Sequence, residues 1–406
     1  TSPIELHPYA IGRMYQIAES NDGALFYSDY QEIRQGKKIH HPTLEYQTGS
    51  IRNDFDFGQL LLFRNDSFQQ VVAQMNTDYR FAALYELRLS ISRLGKIVHI
   101  PETLYTVQPT DLRLSGEKQF DYVDPANREV QLEMEAVCTA HLQAIGAWLA
   151  PEFQRIDFGQ ENFAREASVI IPVRNRKRTI AEAVESALQQ QTDFSFNVIV
   201  VDNHSTDGTG QILTELSRRY PNLIHHIPAS TELGIGGCWT EAILLPECGK
   251  FAIQLDSDDL YKDCHVLQRI VDTFYQENCA MVIGSYQMVD FKLEEIPPGL
   301  IAHREWTPDN GRNNALRING LGAPRAFYTP VLRQIKFPNV SYGEDYATAL
   351  AISRKYPIAR IYDPLYLCRR WEENSDHDLD IQQLNNYNFY KDKIRTLEIQ
   401  ARISGK

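Results

Sequence analysis

From Ser168 onward the chain alternates between short apolar runs and stretches with helical periodicity. Ser168-Val169-Ile170-Ile171 reads as a buried strand, and Thr179 to Gln190 carries apolar residues at helical spacing. Thr179 and Glu182 are spaced as a capping box at the start of that helix. Asn197-Val198-Ile199-Val200-Val201 is the next strand, then come a helix over Thr209 to Arg219, a strand over Leu223 to Ile227 and a helix near Thr240. Phe251-Ala252-Ile253-Gln254-Leu255 is a further strand. This alternation predicts an α/β fold, a mainly parallel, Rossmann-like sheet flanked by helices. Ligands of such sheets bind beyond the carboxyl ends of the strands. Asp202, Asn203 and the run Asp256 to Asp259 each come directly after a strand, so both groups are expected to face one crevice.

The part of the chain before Ser168 repeats a portion of the part after it. Aligning Tyr105 with Tyr366 superposes Tyr85–Tyr105 on Tyr346–Tyr366 without a gap, and nine of the twenty-one positions are identical. Upstream, Tyr30-Gln31 matches Tyr286-Gln287, which sets Thr1-Ser2-Pro3 opposite Ser257-Asp258-Asp259. The first copy then holds only the C-terminal half of the unit. The expected division is a partial repeat over 1–125, a helix and linker over 126–166, a complete domain over 167–378 and a terminal helix over 379–406. The stretch from Asn127 to Leu149 reads as a helix, with its counterpart in the terminal helix from Ile381 to Ile403.

Composition narrows the class. A chain of 406 residues with 43% apolar content can fill two cores. No apolar run approaches the roughly 20 residues that span a bilayer, and no basic-then-apolar leader opens the sequence, so a cytoplasmic protein is expected, with attachment to the inner face of a membrane left open. Cys138, Cys238, Cys248, Cys264, Cys279 and Cys368 contain no CxxC pair, which argues against structural zinc and a disulfide framework. A net charge of −12 argues against nucleic acid as a partner.

The candidate chemistry begins at Leu255-Asp256-Ser257-Asp258-Asp259, where three carboxylates fall within four residues. Such acids repel unless a cation joins them, and hard oxygen ligands suit Mg²⁺ or Mn²⁺. The same acids would also cap a helix beginning near Tyr261. Glu344-Asp345 opens an apolar helical pattern, a place that the helix dipole also favours for acids. In the first copy Ala83-Leu84 stand at the same positions, so a helix start there does not require them. Gly320-Leu321-Gly322-Ala323-Pro324 reads as a loop open to close approach by a ligand.

Four segments together resemble the family 2 glycosyltransferases, nucleotide-sugar enzymes of GT-A fold. They are Ser168 to Arg176 (SVIIPVRNR), Val200 to Thr209 (VVDNHSTDGT), Leu255 to Asp259 (LDSDD) and Gly343-Glu344-Asp345. The resemblance implies that Asp202 recognises the base, most readily the imide of uracil, with Pro172, Arg174 and Asn175 beside it. Asn203 replaces the second Asp of many relatives. It further implies that Asp258 and Asp256 bind a divalent metal, Asp256 also reaching ribose, with His377 completing the shell. Asp345, next to Glu344, becomes the general base of an inverting transfer. Arg369, Arg370, Trp371 and Gly322 become contacts to diphosphate or acceptor. The expected partners are a nucleoside diphosphate sugar and a glycan or lipid-linked acceptor in polysaccharide synthesis, and association into a homo-oligomer is left open. A non-catalytic sugar-binding module and a sugar nucleotidyltransferase are the competing readings.

Overall fold

The computed structural model describes residues 3–76, 78–111, 113, 118, 120–159, 161–371 and 379–405. They form two units. One gathers the described residues of Thr1–Leu149, Asn313–Asn319 and Ser375–Lys406, and the other those of Ala150–Arg312 and Gly320–Asn374. Among the described residues no helix is long and apolar enough to cross a membrane.

The larger unit is built on β6 (Ala167–Val173), β7 (Phe196–Asp202), β8 (Leu223–His226), β9 (Phe251–Gln254), β10 (Leu260–Tyr261), β11 (Met281–Val289), β12 (Glu295–Ile301), β13 (Arg325–Tyr328) and β14 (Ile358–Arg369). They pair in the order β10-β14-β11-β13-β9-β6-β7-β8, with β12 on β11. Across β9-β6-β7-β8 every pairing is parallel. Val169, Ile170, Ile171 and Val198 to Val201 are fully buried, as a sheet covered on both faces demands. Beyond β9 the sheet is mixed, because β13 runs antiparallel to both β9 and β11 while β11 and β14 are parallel. Parallel neighbours bring the ends of β6, β7 and β9, with Asp202 and the acidic turn, to the same edge.

The smaller unit has β1 (Ile4–Leu6), β2 (Gly23–Arg34), β3 (Lys37–His41), β4 (Leu62–Phe63) and β5 (Lys96–Val107), in the order β1-β5-β2-β3 with β4 on β2. Helix Ala10–Ser20 packs on one face through Ala10 and Met14, and helix Ala83–Leu94 on the other through Leu87 and Ile91. Strand order and directions parallel those of β10 to β14. Leu6 stands opposite Tyr105 as Tyr261 does opposite Tyr366. Leu25 opposes Ile97 as Met281 opposes Ile358, and after the same irregularity Asp29 opposes Thr103 as Ser285 opposes Pro364. Leu25 also opposes Phe63 as Met281 opposes Phe327.

The units divide differently from the segments expected from sequence. Helices Arg128–Ala144 and Ile381–Ile403 both belong to the smaller unit, and so does 313–319. The reason is a buried polar network. Asp392, 0% exposed, accepts from Ser50 Oγ (3.0 Å), Arg52 Nε (3.2 Å) and Arg395 Nη1 (2.8 Å). Arg395 donates onward to Ile318 O (2.8 Å) and Asn319 Oδ1 (2.6 Å). Arg317 reaches Asn53 Oδ1 (2.7 Å) and Gln131 Oε1 (2.6 Å). Gly49 is required where the chain meets this helix, since a Cβ there would lie 2.1 Å from Asp392 O.

Replacing Asp392 by Ala leaves two buried guanidiniums short of their anion, and breaking a buried pair in this way costs roughly 3–5 kcal/mol. Urea unfolding of D392A should show that loss, and a change within experimental error would mean that the network is solvated.

Candidate active site

The nucleotide end is made by two loops laced together. Asn175, held at φ 54°, accepts from Thr206 N (2.8 Å) and donates its own N–H to Ser205 Oγ (2.9 Å). Lys177 N donates to Asp207 Oδ2 (2.9 Å) and Arg176 N to Thr209 Oγ1 (2.9 Å). Pro172 lies in β6 opposite Val201, and Arg174 is exposed. Asp202 is buried at the end of β7, where its Oδ1 accepts from Ser205 N (2.9 Å) and its Oδ2 lies 3.3 Å from His225 Nε2 on β8. Burial alone would raise this carboxyl, but the bonds from His225 and Ser205 hold it below the usual carboxylate range. Asn203 donates to Leu233 O (2.8 Å), while its buried Oδ1 has no partner among the described residues.

The acidic turn is fastened at four points. Asp256 N donates to Tyr366 Oη (2.8 Å), Asp256 Oδ1 accepts from Gln254 Nε2 (2.9 Å), Asp259 Oδ1 accepts from Arg369 N (2.8 Å), and Thr179 Oγ1 donates to Ser257 O (2.9 Å). Thr179 therefore makes no side-chain cap for its helix, Ile180–Leu188. Glu182 pairs with Arg369, whose guanidinium also donates to Asp258 O. The expected capping box is thus a brace for the acidic turn, because a buried carbonyl and a buried arginine claim both side chains. Arg369, expected at the diphosphate, is 1% exposed and occupied by these bonds.

Burial and mutual repulsion raise the pKa of Asp256, and that of Asp259 well above the usual range. Asp259 is spent on the Arg369 backbone, which leaves Asp256 and Asp258 to face a ligand. Asp258 Oδ2 lies 3.3 Å from Trp371 Nε1 and 3.8 Å from Arg176 Nε. Trp371 also lies under Arg178, 5.5 Å from its ring centre, and edge-on to Phe291 at 5.4 Å. Arg370 continues the strand, its N–H bonded to Val289 O. Among the described residues no three His, Cys, Asp or Glu side chains converge as a metal cage, and His377 lies outside the described residues. Two crowded carboxylates, one raised by its neighbour's charge, still fit a cation that draws its remaining ligands from a phosphate.

The third group is at the start of helix Glu344–Ser353, after Gly343 at φ 76°. Asp345 Oδ1 accepts from Tyr346 N (2.7 Å), and Oδ2 pairs with Arg325 Nη1. Burial and the neighbouring Asp345 push Glu344 up to about 8. Arg325 Nε and N both donate to Gln254 Oε1, at 3.0 and 3.1 Å. Gly322 turns at φ 99°, where a Cβ would lie 3.0 Å from His303 Cδ2. One hydrogen-bonded path thus joins Asp345, Arg325, Gln254 and Asp256.

Comparison with known proteins bears on the larger unit. The description "Glycosyl transferase family 2" matches residues 168–335. This chain carries a family 2 glycosyltransferase domain. The chain is similar to an uncharacterized glycosyltransferase of Nostoc sp. (32% identity over 123 residues, 30% of this chain and 37% of that one). It is also similar to the poly(ribitol-phosphate) beta-glucosyltransferase of Bacillus spizizenii (24%, 55% of this chain and 35% of that one). The putative teichuronic acid biosynthesis glycosyltransferase TuaG of Bacillus subtilis matches at 26% over 48% of this chain and 74% of its own length. Among solved structures, S. aureus TarS 1–349 in complex with UDP-GlcNAc aligns with 22% identity and a TM-score of 0.44, covering 58% of this chain and 72% of that one. The chain spans little more than a third of the first two relatives.

The motifs assigned no site role to Gln254, Arg325, Tyr366 and His225, and read Glu182 only as a helix cap. Gln254 carried a signal, as the lone polar side chain in an apolar strand. Tyr366 stood in the repeat alignment opposite Tyr105. His225 and Arg325 had no local signal, because their partners are 23 and 20 residues away in sequence.

Glu344 gives a pH prediction. A carboxyl at about 8 in the folded chain, against an ordinary value of 4.5, makes the folded state bind more protons between those values, so its contribution to stability is present at pH 4.5 and is lost as pH rises through 8. Glu344→Gln should therefore raise the thermal midpoint relative to wild type at pH 8.5 and not at pH 5. Equal effects at both pH values would place the raised group elsewhere.

Proposed function

We propose that this chain is an inverting, metal-dependent transferase that moves a sugar from a nucleoside diphosphate, UDP in preference, to a hydroxyl of a glycan or lipid-linked acceptor in cell-surface polymer synthesis. The observation that carries the reading is the path Asp345–Arg325–Gln254–Asp256, which ties the acid suited to deprotonate an acceptor to the acids suited to hold the donor. Asp202, kept ionised by His225 and Ser205, is an acceptor only, and an imide N–H of uracil is its complement. Asp258 and Asp256 would hold Mn²⁺ or Mg²⁺, which when bound neutralises charge on the departing diphosphate. Asp345 takes the proton of the attacking hydroxyl, and Arg325 favours its charged form. Glu344, held protonated near neutrality, keeps a second negative charge away from that base. The named relatives in teichoic and teichuronic polymer synthesis support an acceptor of the cell surface.

The smaller unit is read as a partial copy of the domain's second half that lacks donor chemistry. Its helix Ala83–Leu94 begins at Ala83-Leu84, where the transferase has Glu344-Asp345. Tyr105, the counterpart of Tyr366, accepts from Gln59 N (2.7 Å), so a loop of the unit's own takes the bond that the acidic turn takes in the other. Gly58, at φ 64°, makes the approach, since a Cβ there would lie 1.9 Å from the Tyr105 hydroxyl. This unit is suited to hold an extended acceptor rather than a second nucleotide.

Calorimetric titration of UDP and GDP with Mn²⁺ tests both parts. UDP should bind with a stoichiometry near one per chain, and Asp258→Ala should weaken the metal-dependent component by about a hundredfold. Metal-independent binding, or preference for GDP, would overturn the donor assignment. Two equivalents per chain would overturn the reading of the smaller unit.

A further inference from the structure

Gln254 closes β9, an otherwise apolar strand, and is 5% exposed. Its amide has one orientation compatible with its neighbours. The Oε1 faces two N–H donors of Arg325, and the Nε2 faces the Asp256 carboxylate; a flipped amide would set donors against donors and oxygen against oxygen. Its backbone carbonyl accepts from Tyr261 Oη (2.9 Å), which fixes the strand end from another side. A leucine would fill this place in the sheet without any polar partner, so the amide is retained at a desolvation cost that packing does not require.

Arg325 is the second half of the device. Burial would lower its pKa, but Asp345, Asp256 and Glu344 raise it above the ordinary arginine value. Three of its donor bonds are visible, two to Gln254 Oε1 and one to Asp345 Oδ2. Because the two bonds to Gln254 use both the backbone N–H and Nε, the amide oxygen sets the direction of the guanidinium as well as its position.

We propose that Gln254 and Arg325 are positioning residues that register the base Asp345 against the acidic turn, so that the placement of Asp256 in the donor half is felt at the base. This rests on the transferase reading above. Neither residue need touch the sugar. The proposed effect lies in turnover and its pH dependence more than in donor affinity.

The test uses the full chain with Mn²⁺, and UDP-glucose and UDP-N-acetylglucosamine as probes, following UDP release to water from pH 5.5 to 9 alongside UDP calorimetry and thermal unfolding. Gln254→Leu should lower turnover by about tenfold or more, with the donor KM changed less than about threefold and the acid limb of the pH profile moved by about one unit. Gln254→Glu keeps an acceptor for Arg325 but sets a carboxylate against Asp256. It should shift the Mn²⁺ requirement by about tenfold. Wild-type turnover and pH profile in Gln254→Leu would overturn the proposal, as would a loss that tracks a lowered thermal midpoint and weaker UDP binding together. If Gln254→Leu does not fold, an unchanged Mn²⁺ requirement in Gln254→Glu overturns it. A wild-type chain that neither binds UDP with Mn²⁺ nor releases UDP from either donor sinks the transferase reading itself, and the proposal with it.

Discussion

The larger unit is organised around the repulsion among Asp256, Asp258 and Asp259. Three acids at the end of a buried strand are unfavourable there unless their surroundings supply positive charge or hydrogen bonds. Much of the nearby sequence does this. Arg369 is buried to hold the Asp258 carbonyl and, through its N–H, the Asp259 carboxylate, and Glu182 pairs with the guanidinium that results. Tyr366 places a hydroxyl under the Asp256 N–H, and Thr179 gives up its helix cap to hold Ser257. The carboxylates of Asp256 and Asp258 are met less fully, by the Gln254 amide, the Trp371 N–H and the more distant Arg176 guanidinium.

The smaller unit shows the same frame relieved of that constraint. Its sheet repeats the strand order and directions of β10 to β14, and a tyrosine stands at the same place, but its hydroxyl meets a neutral backbone amide. Where the larger unit concentrates carboxylates in the turn after β9, this unit buries charge between its helices and loops. Asp392, Arg52, Arg395 and Arg317 form a network that holds two helices and a short segment together. Such a network contributes little over a well-packed apolar core, but each member is costly to remove singly.

Local pattern carried the secondary structure best in the central strands, buried on both faces, and in helices with a regular apolar stripe. The strands at β6, β7 and β9 and helices Thr209–Arg219 and Ile381–Ile403 are legible because long apolar runs and 3.6-residue spacing have few alternative solutions. The terminal helix was legible as a helix but not as part of a core. Its buried face is polar, with Lys391, Asp392, Arg395, Glu398 and Arg402, and a polar stripe reads as solvated until its partners are known. Thr179 and Glu182 show the same limit: their spacing fits a cap, and only the arrival of β14 and the acidic turn gives each side chain a stronger partner.

By itself the sequence determined which acids stand after which strands, and parallel neighbours then oblige Asp202 and the acidic turn to share one edge of the sheet. It also carried the likeness of Tyr85–Tyr105 to Tyr346–Tyr366, which needs no structure to be seen. The tertiary structure alone decided how Asp345 is joined by hydrogen bonds to that edge. Gln254, Arg325 and Asp345 lie on three separate elements, and no local periodicity relates them. Hydrogen bonding is short-ranged and directional, so the pairing of an amide, a guanidinium and two carboxylates becomes visible only once the antiparallel β13 has been laid against β9.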